Sequence, residues 1–91
     1  MMMNFEQYCA AIEAAFDATV EQGSDDELFM AGYLHGHFSL VVARCELDAS
    51  LTITALQSAM QESLQQAFEK GELDGDDQQQ VQRFWLGLQP A

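Results

Sequence analysis

The chain has 91 residues, 48% of them hydrophobic, with 15 acidic residues against 3 basic ones and a formal net charge of -12. This length suits one domain with a single core, and the hydrophobic content argues against intrinsic disorder. Because so negative a surface repels nucleic acid and anionic membranes, we predict neither as a partner and expect any electrostatic partner to be basic.

Three features of the sequence bear on the cellular compartment. No apolar run approaches the roughly 18 residues that a membrane span needs. The start of the chain, MMMNFEQYCA, lacks the basic region and apolar segment of a secretory signal. Cys9 and Cys45 lie on predicted apolar helix faces and form no C-x-x-C motif. We therefore predict a cytoplasmic protein with two reduced thiols.

Apolar residues recur at helical spacing in four segments, at about 4–22, 25–45, 52–70 and 75–88. The first segment has one apolar stripe, formed by Phe5, Cys9, Ile12, Phe16 and Val20. Gly23 is expected to end this helix in a left-handed conformation, and Ser24 starts the next helix at once. A connection this short predicts that the two helices are antiparallel neighbours.

The second segment is the most apolar long stretch and has the clearest helix ends. Ser24 and Glu27 have the spacing of a capping box, and Arg44 in the last turn suits the negative end of the helix dipole. One broad arc of this helix predicts a core face: Leu28, Ala31, Leu34, His35, Phe38, Val41, Val42 and Cys45. Gly32 and Gly36 disfavour a helix, which predicts compensation by close helix packing or by a ligand or partner near the backbone.

The last two segments complete an all-α chain. Thr52 or Thr54 can cap the third helix, Gly71 is expected to end it, and Asp74 opens the fourth. Their predicted core faces are Ile53, Leu56, Met60, Leu64, Ala67 and Phe68, and then Val81, Phe84, Trp85 and Leu88. Short connections throughout predict a single small antiparallel four-helix bundle covering residues 1–91.

The sequence offers no convincing catalytic, metal or cofactor site. His35 and His37 point about 200° apart on a helix, so they cannot share a metal ion. We expect His35 to be buried or half-buried on the core arc and His37 to lie on the surface. The acidic run from Asp74 to Asp77 does not have the register of a calcium loop and fits helix capping instead. We therefore predict no catalytic residue, no metal and no cofactor.

A second apolar patch on the second helix is the candidate binding site. Phe29, Tyr33 and Leu40 lie apart from the core arc, edged by His37 and Arg44. We predict a non-enzymatic protein-interaction module that uses Phe29, Tyr33, Gly36, His37, Leu40 and Arg44. Its partner would be another protein or, in a homodimer, a second copy of the chain.

Two other functions stay open. The first is a small-molecule binder or enzyme with a cleft around Tyr33, Gly36 and His37, which requires titratable groups to converge on His37. The second is a mimic of nucleic-acid charge, which is disfavoured because the acids are concentrated at helix starts. The identity of a partner does not follow from the sequence.

The segment SDDELF, followed by GYL and GH between Ser24 and His37, resembles the YfcL-like family of small bacterial proteins. The similarity continues through Gly71, Glu72 and Leu73 to residues 77–85. This resemblance implies a compact helical, bacterial and cytosolic protein without an established activity. His35 stands where the family pattern has Arg, so no charge-based role is carried over to that position.

Overall fold

The computed structural model describes residues 3–90, and within that range it contains four helices and no β-strand. The helices are α1 (Phe5–Gln22), α2 (Asp25–Leu47), α3 (Ile53–Glu69) and α4 (Gly75–Leu88). Their ends lie within two residues of the predicted ones. The all-α class predicted from periodicity is confirmed.

Side-chain caps begin the helices. In the predicted capping box, the Glu27 backbone N–H donates to Ser24 Oγ over 3.2 Å, and the Ser24 N–H donates to Glu27 Oε1 over 3.0 Å. Asp74 caps α4 as predicted. Asn4 and Gln7 form a further capping box at the start of α1, which the sequence reading missed. These bonds satisfy N–H groups that a first helical turn leaves unpaired.

The residues that follow α1, α2 and α3 differ in backbone conformation. Gly71 has a φ of 78°, which confirms its left-handed conformation after α3. The same prediction is wrong for Gly23, whose φ is −79° and ψ is 160°, so it is extended. After α2 the left-handed position is held by Ala49, with a φ of 57°. A residue with a Cβ is strained in that region, which glycine enters freely.

The core is built around α2, which contacts each of the other three helices. Phe38 lies at its centre, with ring centroids 5.8 Å from Phe16 of α1 and 6.0 Å from Trp85 of α4. The other buried side chains are Phe5, Tyr8, Ile12, Ala31, Leu34, Val41, Cys45, Leu56, Met60, Leu64, Ala67, Val81 and Leu88. Burying about a dozen large apolar side chains, each contributing roughly 1.5–3 kcal/mol, is the main stabilising term.

The ends of α1 and α2 meet as they do in an antiparallel pair of helices. Phe5 at the start of α1 lines a groove with Glu46 near the end of α2. Thr19 near the end of α1 lines another groove with Glu27 at the start of α2. These are the end-to-end contacts that short connections favour.

Besides His35, which is described below, three side chains depart from the predicted core faces. Val20 and Leu28 were expected inside but are 64% and 38% exposed. Tyr8 was not assigned to the apolar stripe of α1, yet it is only 3% exposed. Val20 lies in the last turn of α1 and Leu28 in the first turn of α2, so both are at the end of the bundle where these two helices connect.

Candidate functional site

A line of apolar and small residues runs along α2 on the side roughly opposite its buried residues, and we call it the outer face. It consists of Phe29, Tyr33, Gly36, Leu40 and Leu47. Phe29 is 53% exposed, Leu40 74% and Leu47 87%. Leu47 was missed because the helix was predicted to end at residue 45, whereas α2 continues to residue 47. The structure therefore gives the predicted patch a longer extent.

Tyr33 is the best-fixed side chain of the outer face. Its hydroxyl donates a hydrogen bond to Glu72 Oε1, 2.9 Å away in the connection between α3 and α4. Its ring stacks on Phe29 at a centroid distance of 6.4 Å and an interplanar angle of 24°. Because the hydroxyl and the ring of Tyr33 both have contacts, its aromatic surface is held in one orientation.

His37 lies beneath Tyr33 and links α2 to α3. Its Nδ1 is 2.7 Å from Ser63 Oγ, its Nε2 is 3.9 Å from Glu72 Oε1, and its ring centroid is 4.8 Å from that of Tyr33. We call these four residues the His37 network. The expectation that His37 lies on the surface is wrong, because only 19% of its side chain is exposed.

The His37 network contains the residue types of a serine–histidine–carboxylate triad, but its geometry suits a structural link better. Ser63 lies inside α3, where the backbone N–H groups are used in helical hydrogen bonds. No strained turn exposes its hydroxyl, and no pair of free N–H groups beside it could stabilise an oxyanion. The network ties α2, α3 and the following connection together.

His35 is more exposed than predicted. It was expected on the core arc, but 47% of its side chain is exposed. Its Nε2 is 3.1 Å from Glu13 Oε2 of α1, and its ring meets Phe16 edge-on at 5.1 Å. The residue sits at the edge of the core, where one ring face packs and the nitrogen reaches a carboxylate.

Gly32 and Gly36 are exposed, and a Cβ added to either would meet no atom within 4 Å. The prediction that they allow close packing between helices of the bundle is therefore wrong. Their cost to helix stability, about 1 kcal/mol each, is not offset by contacts within residues 3–90. The other prediction for them, a ligand or partner close to the backbone, remains a prediction.

A groove of about 310 Å³ separates α2 from α3 beside the outer face. Leu40 and Arg44 line one wall, Glu62 and Ser63 line the other, and Asp48 lies at the end of α2. Arg44 thus lies beside Leu40 of the outer face. The groove gives the outer face a concave side with both apolar and charged lining.

A series of carboxylates lies along the outer face of α2, on the side nearer α3 and α4, and we call it the acidic row. Asp26 and Asp77 line a small groove with Phe29, Glu72 bonds Tyr33, and Glu62 and Asp48 line the groove with Leu40. Within residues 3–90, the ion pairs both involve a histidine and no Lys or Arg. The acidic row therefore retains most of its negative charge.

Burial raises the pKa values of Tyr33 and of both thiols. It raises the pKa of Tyr33 to about 12, and the hydrogen bond and charge of Glu72 act in the same direction. Burial also raises the pKa of the Cys45 thiol, with a further contribution from Asp48, and the pKa of Cys9. Tyr33 is therefore a neutral donor at physiological pH, and neither thiol is an activated nucleophile.

The described part of the chain has neither a membrane-spanning helix nor a cluster of metal ligands. Across residues 3–90, no helix combines the length and apolar character that crossing a bilayer demands. The same residues bring together no set of three or more His, Cys, Asp or Glu side chains able to hold a metal ion.

The comparisons with known proteins identify the family. The profile described as "YfcL protein" matches residues 6–90. The chain belongs to the YfcL family. It is similar to the "Uncharacterized protein YfcL" of Escherichia coli (strain K12), with 38% identity over 88 residues that cover 97% of this chain and 92% of the relative. No solved structure matches the chain significantly. The resemblance predicted from residues 24–37 is confirmed.

Proposed function

We propose that this YfcL family protein is a non-enzymatic interaction module that binds another protein, or a second copy of itself, through the outer face of α2. The observation that carries the proposal is the exposure of Phe29, Leu40 and Leu47 in one line on the side of α2 opposite its buried residues. Scattered exposed apolar residues are ordinary, but an aligned group is typical of a contact surface.

The fixed geometry of Tyr33 supports the same proposal. Tyrosine anchors contacts well because it offers a large rigid surface with little conformational entropy to lose. Here the hydrogen bond to Glu72 and the stacking on Phe29 restrict it further. Binding would then lose less entropy than it would with a free side chain.

The small-molecule or enzyme alternative is supported by one observation, the convergence of Ser63, Glu72 and Tyr33 on His37. The neighbouring groove, however, is lined by Ser63 and not by His37. His37 also lacks the backbone donors that acyl transfer needs nearby. We therefore assign the His37 network to fixing Tyr33 rather than to catalysis.

The wider setting is part of the proposal. We place the protein in the bacterial cytoplasm because Cys9 and Cys45 are both free thiols and the relative of 38% identity comes from a bacterium. A net charge of -12 disfavours nucleic acid as the partner.

The test compares one surface variant with a matched control. Phe29→Ser with Leu40→Ser removes apolar surface from the outer face without opening the core. Leu86→Ser changes a side chain that is 65% exposed on α4. Solution mass is measured by light scattering. In a pull-down, the proteins retained by each immobilised form are then compared among forms that have the same helical content.

The proposal expects a dimer, or a retained protein, that is present with the wild type and Leu86→Ser and lost with the double variant. If all three forms have the same mass and retain the same proteins, the outer face is not a binding surface. Far-ultraviolet circular dichroism on each variant excludes unfolding as the cause of any loss.

A further inference from the structure

The outer face has the spacing of a helix-binding seam. Its residues, together with Ala43, follow one another at intervals of four, three, four, three and four. Alternating steps of three and four place side chains every 3.5 residues, which is the repeat by which one helix packs along another. From Phe29 to Leu47 the seam is about 27 Å long at 1.5 Å per residue. Its natural occupant is a helix of about five turns.

Small residues along this seam would let the occupant come close. Gly36 and Ala43 alternate with Tyr33, Leu40 and Leu47. Gly36 has open space where its Cβ would be. Small residues between large ones leave depressions into which side chains of a facing helix can insert.

The negative charge beside the seam favours a positively charged helix as its occupant. The acidic row of Asp26, Asp77, Glu72, Glu62 and Asp48 follows the α3 and α4 side of the seam, and Arg44 is the cation among them. A second copy would bring another acidic row and another charge of -12 to the same contact. Like charges across an interface are costly, whereas opposite charges steer association and fix register.

We infer that the outer face and the acidic row together bind a basic amphipathic helix of another protein. This inference rests on the proposed function and specifies its partner. The apolar side of that helix would lie along the seam, and Lys or Arg side chains along one edge would face the acidic row. This is the helix-in-groove mode of recognition, with charge selecting the partner.

A synthetic peptide tests the inference directly. The probe is a fluorescent peptide of about three heptads, with Leu at the seam positions and Lys at the flanking positions. Its control has the same Leu residues with Glu in place of Lys. Binding to the full-length protein is measured by fluorescence anisotropy at an ionic strength of about 0.15 M, where nonspecific attraction is screened beyond about 8 Å.

Two protein variants with equal net charge separate site binding from general attraction. Asp48→Asn with Glu62→Gln removes two carboxylates of the acidic row. Glu6→Gln with Asp17→Asn removes two exposed carboxylates of α1. We expect saturable binding of the Lys peptide, a dissociation constant raised about fivefold by the row variant, and a change of less than about twofold for the α1 variant.

Leu40→Ser tests the apolar part of the seam, and we expect it to raise the dissociation constant about tenfold. Equal weakening by the two charge variants, equal binding of the Glu peptide, or no saturable binding would overturn the inference. A wild-type dimer that Leu40→Ser dissociates, without peptide binding, would overturn it while leaving the proposed function intact. No peptide binding together with no effect of the outer face on mass or capture would overturn both.

Discussion

Replacing Gly36 by alanine should stabilise the protein, although the sequence predicted that close packing or a nearby ligand or partner compensates for this glycine. A Cβ at Gly36 meets no atom within 4 Å, and the residue lies in the middle of α2 with ordinary helical geometry. The change therefore adds helix propensity and lowers the entropy of the unfolded chain without a clash. The expected gain in the free energy of unfolding is about 1 kcal/mol.

The magnitude is large enough to measure in a domain of this size. A gain of about 1 kcal/mol raises the melting temperature by roughly 4–8 °C and moves a urea midpoint by about 0.5 M for a slope near 2 kcal/mol/M. Urea is preferred to guanidinium because guanidinium is a salt that would screen the charge of -12. Gly32→Ala has the same open surroundings and should add a similar amount.

Gly23→Ala is the matched control of opposite sign. Its Cβ would lie 2.6 Å from the Thr19 carbonyl oxygen, so backbone atoms must move and stability should fall. Circular dichroism during urea titration, at two protein concentrations, follows all three variants. A Gly36→Ala midpoint at or below that of the wild type would refute the reasoning, because it would mean that the outer face is already covered in the free protein.

The remaining predictions concern backbone strain, titration and salt. Ala49→Gly should raise the free energy of unfolding by about 0.5–1 kcal/mol, because φ is 57° there, and Gly71→Ala should lower it by a similar amount; urea titration of both checks the signs. The raised pKa of Tyr33, about 12, means that the folded state holds its proton more tightly than the unfolded state. That contribution is present below pH 10 and is lost as the pH rises towards 12, so phenolate absorbance should show a late-titrating tyrosine that Tyr33→Phe removes. Stability should be higher at about 0.3 M than at about 0.02 M monovalent salt, because salt screens the self-repulsion of the acidic chain; thermal melts without such a rise would contradict this.

Helix starts were predictable because their signals are local. Ser24 and Glu27 are three residues apart, and Asp74 precedes a turn rich in acids, so each cap follows from neighbouring residues. The helical periodicity likewise gives the direction in which each side chain points from the helix axis, which is why Leu34, Phe38 and Trp85 were correctly placed in the core. Tyr8 could have been found in the same way, since it precedes Ile12 by one helical repeat of four.

Exposure and long-range pairing were not predictable from these signals. A helical wheel gives the direction of Val20 or Leu28 but does not say how far the neighbouring helices extend. The contact of His37 with Ser63 joins residues 26 positions apart. Such a pair depends on the axial offset between α2 and α3, which no local pattern encodes. The His37 network therefore emerges only from the packed structure.

The features of α2 that oppose stability lie together, and this is the strongest physical reason to expect a partner. Gly32 and Gly36 cost about 2 kcal/mol of helix propensity in total, and nothing within 4 Å of their Cβ positions compensates for it. Phe29 and Leu40 leave apolar surface in water on the same side of the helix. If stability alone selected the residues at these four exposed helix positions, Ala or Glu would be expected there. If a facing helix covers the outer face, the glycines permit its approach and the apolar side chains become buried, so both costs are offset by the same contact.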